Sequence, residues 1–379
     1  MRSLGIYVHI PYCAKKCAYC DFYSVPSRES SKAYCSALIK QIESYGKKAT
    51  GYIVDTIYIG GGTPSYIDAE DIFDVIGAIR RTFNVDKNAE ISMEANPGTL
   101  DGDKLAVYRS AGINRLSLGL QSAHNDELKT LSRIHTYEDF ESSFLLARLE
   151  GFDNINVDIM YALPEQTPEK LAETIETVTA LSPEHISFYG LKIEENTPFA
   201  YNKAISESLP DEETQYKMYM DSAKTLEERG YRQYEISNFA KDGYACRHNM
   251  KYWKCNDYLG FGAAAASFFE GRLFSQVKNI DYFIEDPLSV FLIDSTEEIT
   301  PKKFETQYVM LGFRLSEGIS LGEYRLRCGG DFIAKYGERL KPFLEKKLVV
   351  KTSGGFKLSR RGMLVSNYIL SEILDFDED

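Results

Sequence analysis

The sequence predicts an α/β protein: a partial (β/α)6-type barrel over residues 1–295, then a small winged-helix-like domain over 296–379. Three observations lead there. Short β-branched or aromatic runs alternate with amphipathic helical stretches through the first two-thirds, the pattern of a parallel sheet covered by helices. After Leu191 that alternation lapses, and the polar run Asp294-Ser295-Thr296-Glu297-Glu298 precedes a fresh helical stretch. A chain of 379 residues, 44% hydrophobic and 26% charged, is long enough to bury one large core and carry an appendage.

Six strands are expected, at Leu4–His9, Ile53–Ile59, Glu90–Glu94, Ile113–Leu118, Asn154–Met160 and His185–Leu191. Between the first two, Tyr34, Leu38, Ile42 and Tyr45 recur at helical spacing, with Gly46 as the stop. In such folds ligands gather at the C-terminal ends of the strands. Further on, Asp211–Arg229 reads as a helix ended by Gly230 and Tyr231–Phe239 as a strand, while Gly243–Phe269 combines turns, the only Trp and the small-residue run Gly260–Ala266. Thr300 and Pro301 open a helix striped by Phe304, Tyr308, Leu311 and Leu315. Leu348–Lys351 and Gly355–Leu358 flank a turn as a two-stranded wing, Met363–Leu374 is a final helix, and residues 375–379 form an acidic end.

Composition narrows the function. A net charge of -12 argues against a nucleic-acid surface, which needs clustered Lys and Arg; the basic residues around the wing read as solvated surface. No apolar run reaches the roughly 18–20 residues that span a bilayer, and Met1–Gly5 runs straight into the first strand with no room for a signal peptide. The seven cysteines are not arranged as a disulfide pattern. A reduced, cytoplasmic protein is expected.

Three of those cysteines, Cys13, Cys17 and Cys20, form C-x3-C-x2-C directly after the first strand. Thiolates this close suit zinc, copper(I) or an iron–sulfur cluster. Structural zinc wants a fourth ligand at finger-like spacing, and none follows. Three ligands with one open position fit a [4Fe–4S] cluster. Together with Tyr7-Val8-His9-Ile10-Pro11-Tyr12 and Tyr19-Cys20-Asp21-Phe22, the spacing resembles the radical S-adenosylmethionine (SAM) superfamily, and within it the oxygen-independent coproporphyrinogen III oxidase-like proteins.

Other motifs fit that resemblance. Gly60-Gly61-Gly62-Thr63-Pro64 follows the second strand, and glycines there allow close approach to the backbone. Glu94 ends the third strand, where an acid can bond ribose hydroxyls or an ammonium. Gln121 offers donor and acceptor, and Arg133 a planar fork for a carboxylate. Asp158 lies in an apolar strand and must find a partner. The resemblance implies that Gly61, Gly62, Thr63, Glu94, Gln121, Arg133 and Asp158 surround bound SAM, with Tyr7, Tyr19 and the backbone of Lys192 beside it. Ala162 stands where the subgroup usually has Gly.

The last motif is His248-Asn249-Met250-Lys251-Tyr252-Trp253. Imidazole is a common axial haem ligand, and neighbouring aromatics can line a flat ring. The string resembles the signature of the radical SAM haem chaperones, in which His248 is the implied iron ligand; Cys246 and Cys255 are read as structural. The oxidases keep a fourth cysteine where this chain has Phe22, and a longer segment ahead of the cluster. Both differences favour haem delivery to acceptor haemoproteins over decarboxylation of coproporphyrinogen III. The resemblance also implies an electron donor, a homodimer and peripheral contact with membrane-held acceptors.

Overall fold

The computed structural model describes residues 1–375, so the acidic end beyond Asp375 lies outside the described residues. The six expected strands form, each within a few residues of its predicted limits: β1 Arg2–Ile10, β2 Tyr52–Gly61, β3 Val85–Ala95, β4 Arg115–Gln121, β5 Ile155–Tyr161 and β6 His185–Gly190. They pair in sequence order and in parallel. Alternation sets the two faces. Leu4, Ile6, Val8 and Ile10 of β1 are fully buried among Tyr34, Leu38 and Ile42 of the helix Ser31–Ser44. The intervening Gly5 and Tyr7 turn inward toward Thr56, Tyr58 and His248. Burying each large aliphatic side chain is worth roughly 1.5–3 kcal/mol, so this outer face holds the helices to the sheet.

Four local expectations change. The helix Ser31–Ser44 ends at Tyr45 in an ordinary right-handed conformation, and Gly46 is not left-handed. The Tyr231–Phe239 strand is two short antiparallel strands, β7 Arg232–Gln233 and β8 Asn238–Ala240, because the chain reverses between them. The glycine- and alanine-rich stretch is partly a strand: β9 Tyr258–Phe261 pairs in parallel with β1. A Cβ at Gly260 would stand 2.2 Å from the Ala266 carbonyl oxygen, so the residue is glycine to let the hairpin close. β10 Ala266–Phe269, β11 Arg272–Gln276 and β12 Ile293–Glu298 then extend the sheet antiparallel. The order is β12-β11-β10-β9-β1-β2-β3-β4-β5-β6-β8-β7. The polar run 294–298 is thus an exposed edge strand, and its charges discourage edge-to-edge pairing.

Beyond it lie the helix Pro301–Gly312, capped by Thr300 as predicted, and a sheet in which β15 Gly355–Leu358 lies between β13 Ile319–Ser320 and β14 Val349–Lys351. The predicted final helix is two pieces, Arg360–Leu364 and Ser366–Ile373. These elements bury a second core around Phe313, Tyr324, Phe332 and Leu340. The helix Arg247–Trp253 bridges the two cores: its His248 touches β2, while Arg314 lies 5.9 Å from the Trp253 ring.

Candidate active site at the barrel mouth

A cavity of about 480 Å³ opens where the strands β2–β6 end, roofed by the loop that follows β1. That volume suits a small-molecule ligand. Cys13, Cys17, Cys20, Tyr19, Gly61, Gly62, Thr63, Glu94, Gln121, Arg133, Asp158 and Lys192 all line it. Residues from four strands and the loops that follow them therefore meet. Tyr7 and His248 do not reach the wall.

The three cysteines are reduced and half-exposed. Their loop is tied down by Cys13 N–H to the Val25 carbonyl at 3.0 Å and Val25 N–H to that of Pro11 at 2.8 Å. Thr63 Oγ1 donates to Cys13 Sγ at 3.4 Å, and Arg133 to Cys17 Sγ at 3.6 Å. Burial pushes the Cys20 thiol up to about 11. The thiols share one opening, although among the described residues no three His, Cys, Asp or Glu side chains stand in a metal-holding arrangement. Three free soft donors around one cavity fit a thiolate-held cluster in chemistry.

The glycine run has a purpose its sequence hides. A Cβ on Gly60 would meet the Glu94 carboxylate at 2.9 Å, and one on Gly62 the Tyr12 carbonyl oxygen at 2.7 Å. Much of the space is filled by the chain itself. Gly61, at φ +111°, donates its N–H to Glu94 Oε2 at 3.0 Å, while Tyr58 donates to Oε1 at 2.9 Å. Burial raises the Glu94 pKa to about 7, against the Tyr58 hydrogen bond that lowers it. Asp158 is likewise raised by burial, and accepts from Asn156 Nδ2 at 2.7 Å. Gln121, at φ +79°, accepts from the Tyr189 hydroxyl at 2.9 Å. Arg133 donates to the Gly119 carbonyl and leaves Nε unpartnered. Tyr19 packs against Phe199, and Lys192 forms an exposed ion pair with Glu194. Ala162 sits at φ +58°, the left-handed region that favours glycine.

Tyr7 stands behind Tyr58, bonding His9 Nδ1 at 3.0 Å. His248 is wholly buried, with Nδ1 2.9 Å from Thr56 Oγ1 and Nε2 2.8 Å from the Tyr252 hydroxyl. Its ring stacks on Tyr58, and burial lowers its pKa to about 3. Both nitrogens are engaged; the neighbour Asn249 is the motif residue on the cavity wall. Cys246 is buried against Glu90 and Cys255 lies in the second core, as structural residues do.

Sequence reasoning passed over Arg115, Tyr58 and Tyr189, all on the wall. A signal existed for Arg115: counting back by twos from Gln121 through Gly119 and Ser117 reaches it on the same strand face.

Comparison with known proteins places this geometry. Residues 7–178 match the Radical SAM superfamily model, and residues 299–365 that of the HemN C-terminal domain. The fold matches that of coproporphyrinogen III oxidase (HemN) from Escherichia coli with a TM-score of 0.86 at 24% identity, covering 98% of this chain and 90% of that one. The architecture is that of a radical SAM protein. The chain is 34% identical to heme chaperone HemW of Bacillus subtilis (97% of this chain, 98% of the relative). It is 33% identical to heme chaperone HemW of Haemophilus influenzae (99% and 98%) and 36% to that of Escherichia coli (73% and 74%). This chain belongs to the HemW heme chaperone family.

Proposed function

We propose that the protein binds haem and passes it to acceptor haemoproteins, on a scaffold that holds a [4Fe–4S] cluster and SAM. The observation carrying this reading is the near-full-length similarity to heme chaperones, against a likeness to the oxidase that extends to fold alone. Phe22, 62% exposed at the cavity rim, adds an apolar edge where the oxidases keep a thiol. Residues 1–295 form the ligand-handling unit of this proposal, and 296–379 an appendage.

Cys13, Cys17 and Cys20 would hold the cluster. Gly61, Gly62, Thr63, Glu94, Gln121, Arg133 and Asp158 would surround SAM, with Tyr19 and Lys192 at the rim and Tyr7 supporting Tyr58 from behind. When bound, the cluster supplies the electron for reductive cleavage of SAM. The chain's own part is binding and orientation. Gly61 and Tyr58 fix the Glu94 carboxylate, Asn156 fixes Asp158, and Arg133 offers its free Nε–H to an anionic group. An electron donor and a second copy of the chain complete the proposal, together with an acceptor reached at the membrane surface. Among the described residues no helix is long and apolar enough to cross a membrane.

Haem ligation by His248 belongs to an opened state in which Tyr252 releases Nε2. The test is anaerobic haem titration of wild type and His248→Ala. A weakened, shifted Soret band in the variant supports the opened state, and an unchanged one moves the iron ligand elsewhere. Reconstituted protein given coproporphyrinogen III, SAM and reductant is expected to form no protoporphyrinogen; turnover there would replace the carrier reading with an oxidase.

A further inference from the structure

Arg115 opens β4 with its side chain on the cavity wall and only 2% of its surface exposed. No hydrogen bond or ion pair to a described residue satisfies it, and its Nε is a buried donor with no acceptor. Burial works against its charge while nearby Glu90 favours it, yet its planar fork bonds no acceptor and is left open to an anionic group. The nearby acids act on it through space without bonding it, their oxygens being held by other donors. Glu90 accepts from the N–H groups of Arg247 and His248, both at 3.0 Å; Glu94 is held by Tyr58 and Gly61; Asp158 accepts from Asn156. Asn249, on the same wall, has a side-chain amide that bonds no described residue.

The cavity thus carries two arginines. Arg133 lies beside the cysteines, with Gly119 beneath it. Arg115 is four residues back along β4, roughly 13 Å by strand rise. SAM has one carboxylate, and the arginine beside the thiols accounts for it. The inner arginine is left for a second acid, and its planar fork matches a carboxylate bidentately.

We infer that Arg115, assisted by Asn249, docks a carboxylate of the molecule the cavity handles besides SAM, a propionate of a tetrapyrrole. The inference rests on the haem-carrier reading and adds to it the group that is recognised. It also gives the His248-Asn249 pair divided roles, with His248 facing the β1–β2 wall and Asn249 the ligand.

The experiment compares haem with haem dimethyl ester, whose propionates are neutral, in anaerobic titrations in one detergent buffer. Wild type is expected to prefer the free acid by roughly tenfold to a hundredfold, the range of a charged hydrogen-bonded pair. Arg115→Gln is expected to bring that ratio near one with SAM affinity unchanged, Arg115→Lys to keep part of it, and Asn249→Ala to lower it a few-fold. Equal binding of acid and ester by wild type overturns the inference, whatever the variants do. So does a preserved ratio in Arg115→Gln, or a loss of SAM affinity alone, which would assign Arg115 to SAM. Absence of any haem binding by wild type sinks the carrier reading and the inference with it. If Arg115→Gln does not fold, the wild-type ratio and Asn249→Ala decide.

Discussion

The cysteine loop and the helix Arg247–Trp253 carry the two most recognisable motifs, yet their side chains are held in opposite ways. Cys13, Cys17 and Cys20 are half-exposed on an irregular loop, with few partners of their own. His248 is wholly buried, bonded at both nitrogens and stacked on Tyr58. One motif waits for its ligand at an opening, while the other is built into the wall behind it. Residue type reveals the chemistry a side chain is capable of. Only packing reveals whether that chemistry is available.

Stability measurements test the contrast most strongly. His248→Ala leaves Thr56 and Tyr252 without their partner and opens a cavity, so a loss of roughly 2–4 kcal/mol is expected in urea unfolding of the cluster-free protein. Cys17→Ser is expected to change stability by less than about 0.5 kcal/mol in the same assay. Equal losses would erase the distinction between open loop and closed helix.

Acid should expose the closed wall next. Burial lowers the pKa of His9, His135, His185 and His248, so these rings stay neutral when folded and take up protons on unfolding. Their contribution is complete above about pH 6.5 and is lost as pH falls. Glu94 and Glu235, each raised to about 7 by burial, act in the other sense between pH 7 and 4.5, where the folded form keeps the proton. Asp158 and Asp71, also raised by burial, oppose the histidines in the same sense, so the expected outcome is a net loss of stability as pH falls from 6.5 to 5 that is smaller than the histidines alone would give. A flat stability profile over pH 7–4.5 would contradict the assignment.

Tyr58 joins the closed wall to the cavity, stacked on His248 and bonded to Glu94. Tyr58→Phe keeps the stack and removes the bond, so SAM affinity measured by calorimetry should fall roughly five- to tenfold with little change in unfolding. Unaltered affinity would separate the wall from the site. The smallest effect is at Ala162, whose left-handed backbone strains a Cβ. Ala162→Gly should raise unfolding stability by about 0.5–1 kcal/mol, strain relief being partly offset by unfolded-chain entropy.

The parallel strands and the cysteine triad were legible because period-two burial and close thiol spacing are written in residue type. Arg115 was not, since a lone arginine at a strand start looks like surface until the face it shares with Gln121 is traced. The closure of His248 left a fainter mark: Tyr252 lies four residues on, one helical turn away, where the two side chains can bond each other. β9 escaped because Gly260 and the alanines after it have little strand propensity; its pairing with β1 is a tertiary fact.

That pairing orders events during synthesis. β1 is central in the finished sheet, between β2 and β9. At 5–20 residues per second its second neighbour leaves the ribosome roughly 12–50 s after it. For that interval one edge of the strand leading into Cys13 is open to other chains. Early chaperone cover of the nascent N-terminus, and cluster loading only after β9 has closed that edge, are the order of assembly this topology favours.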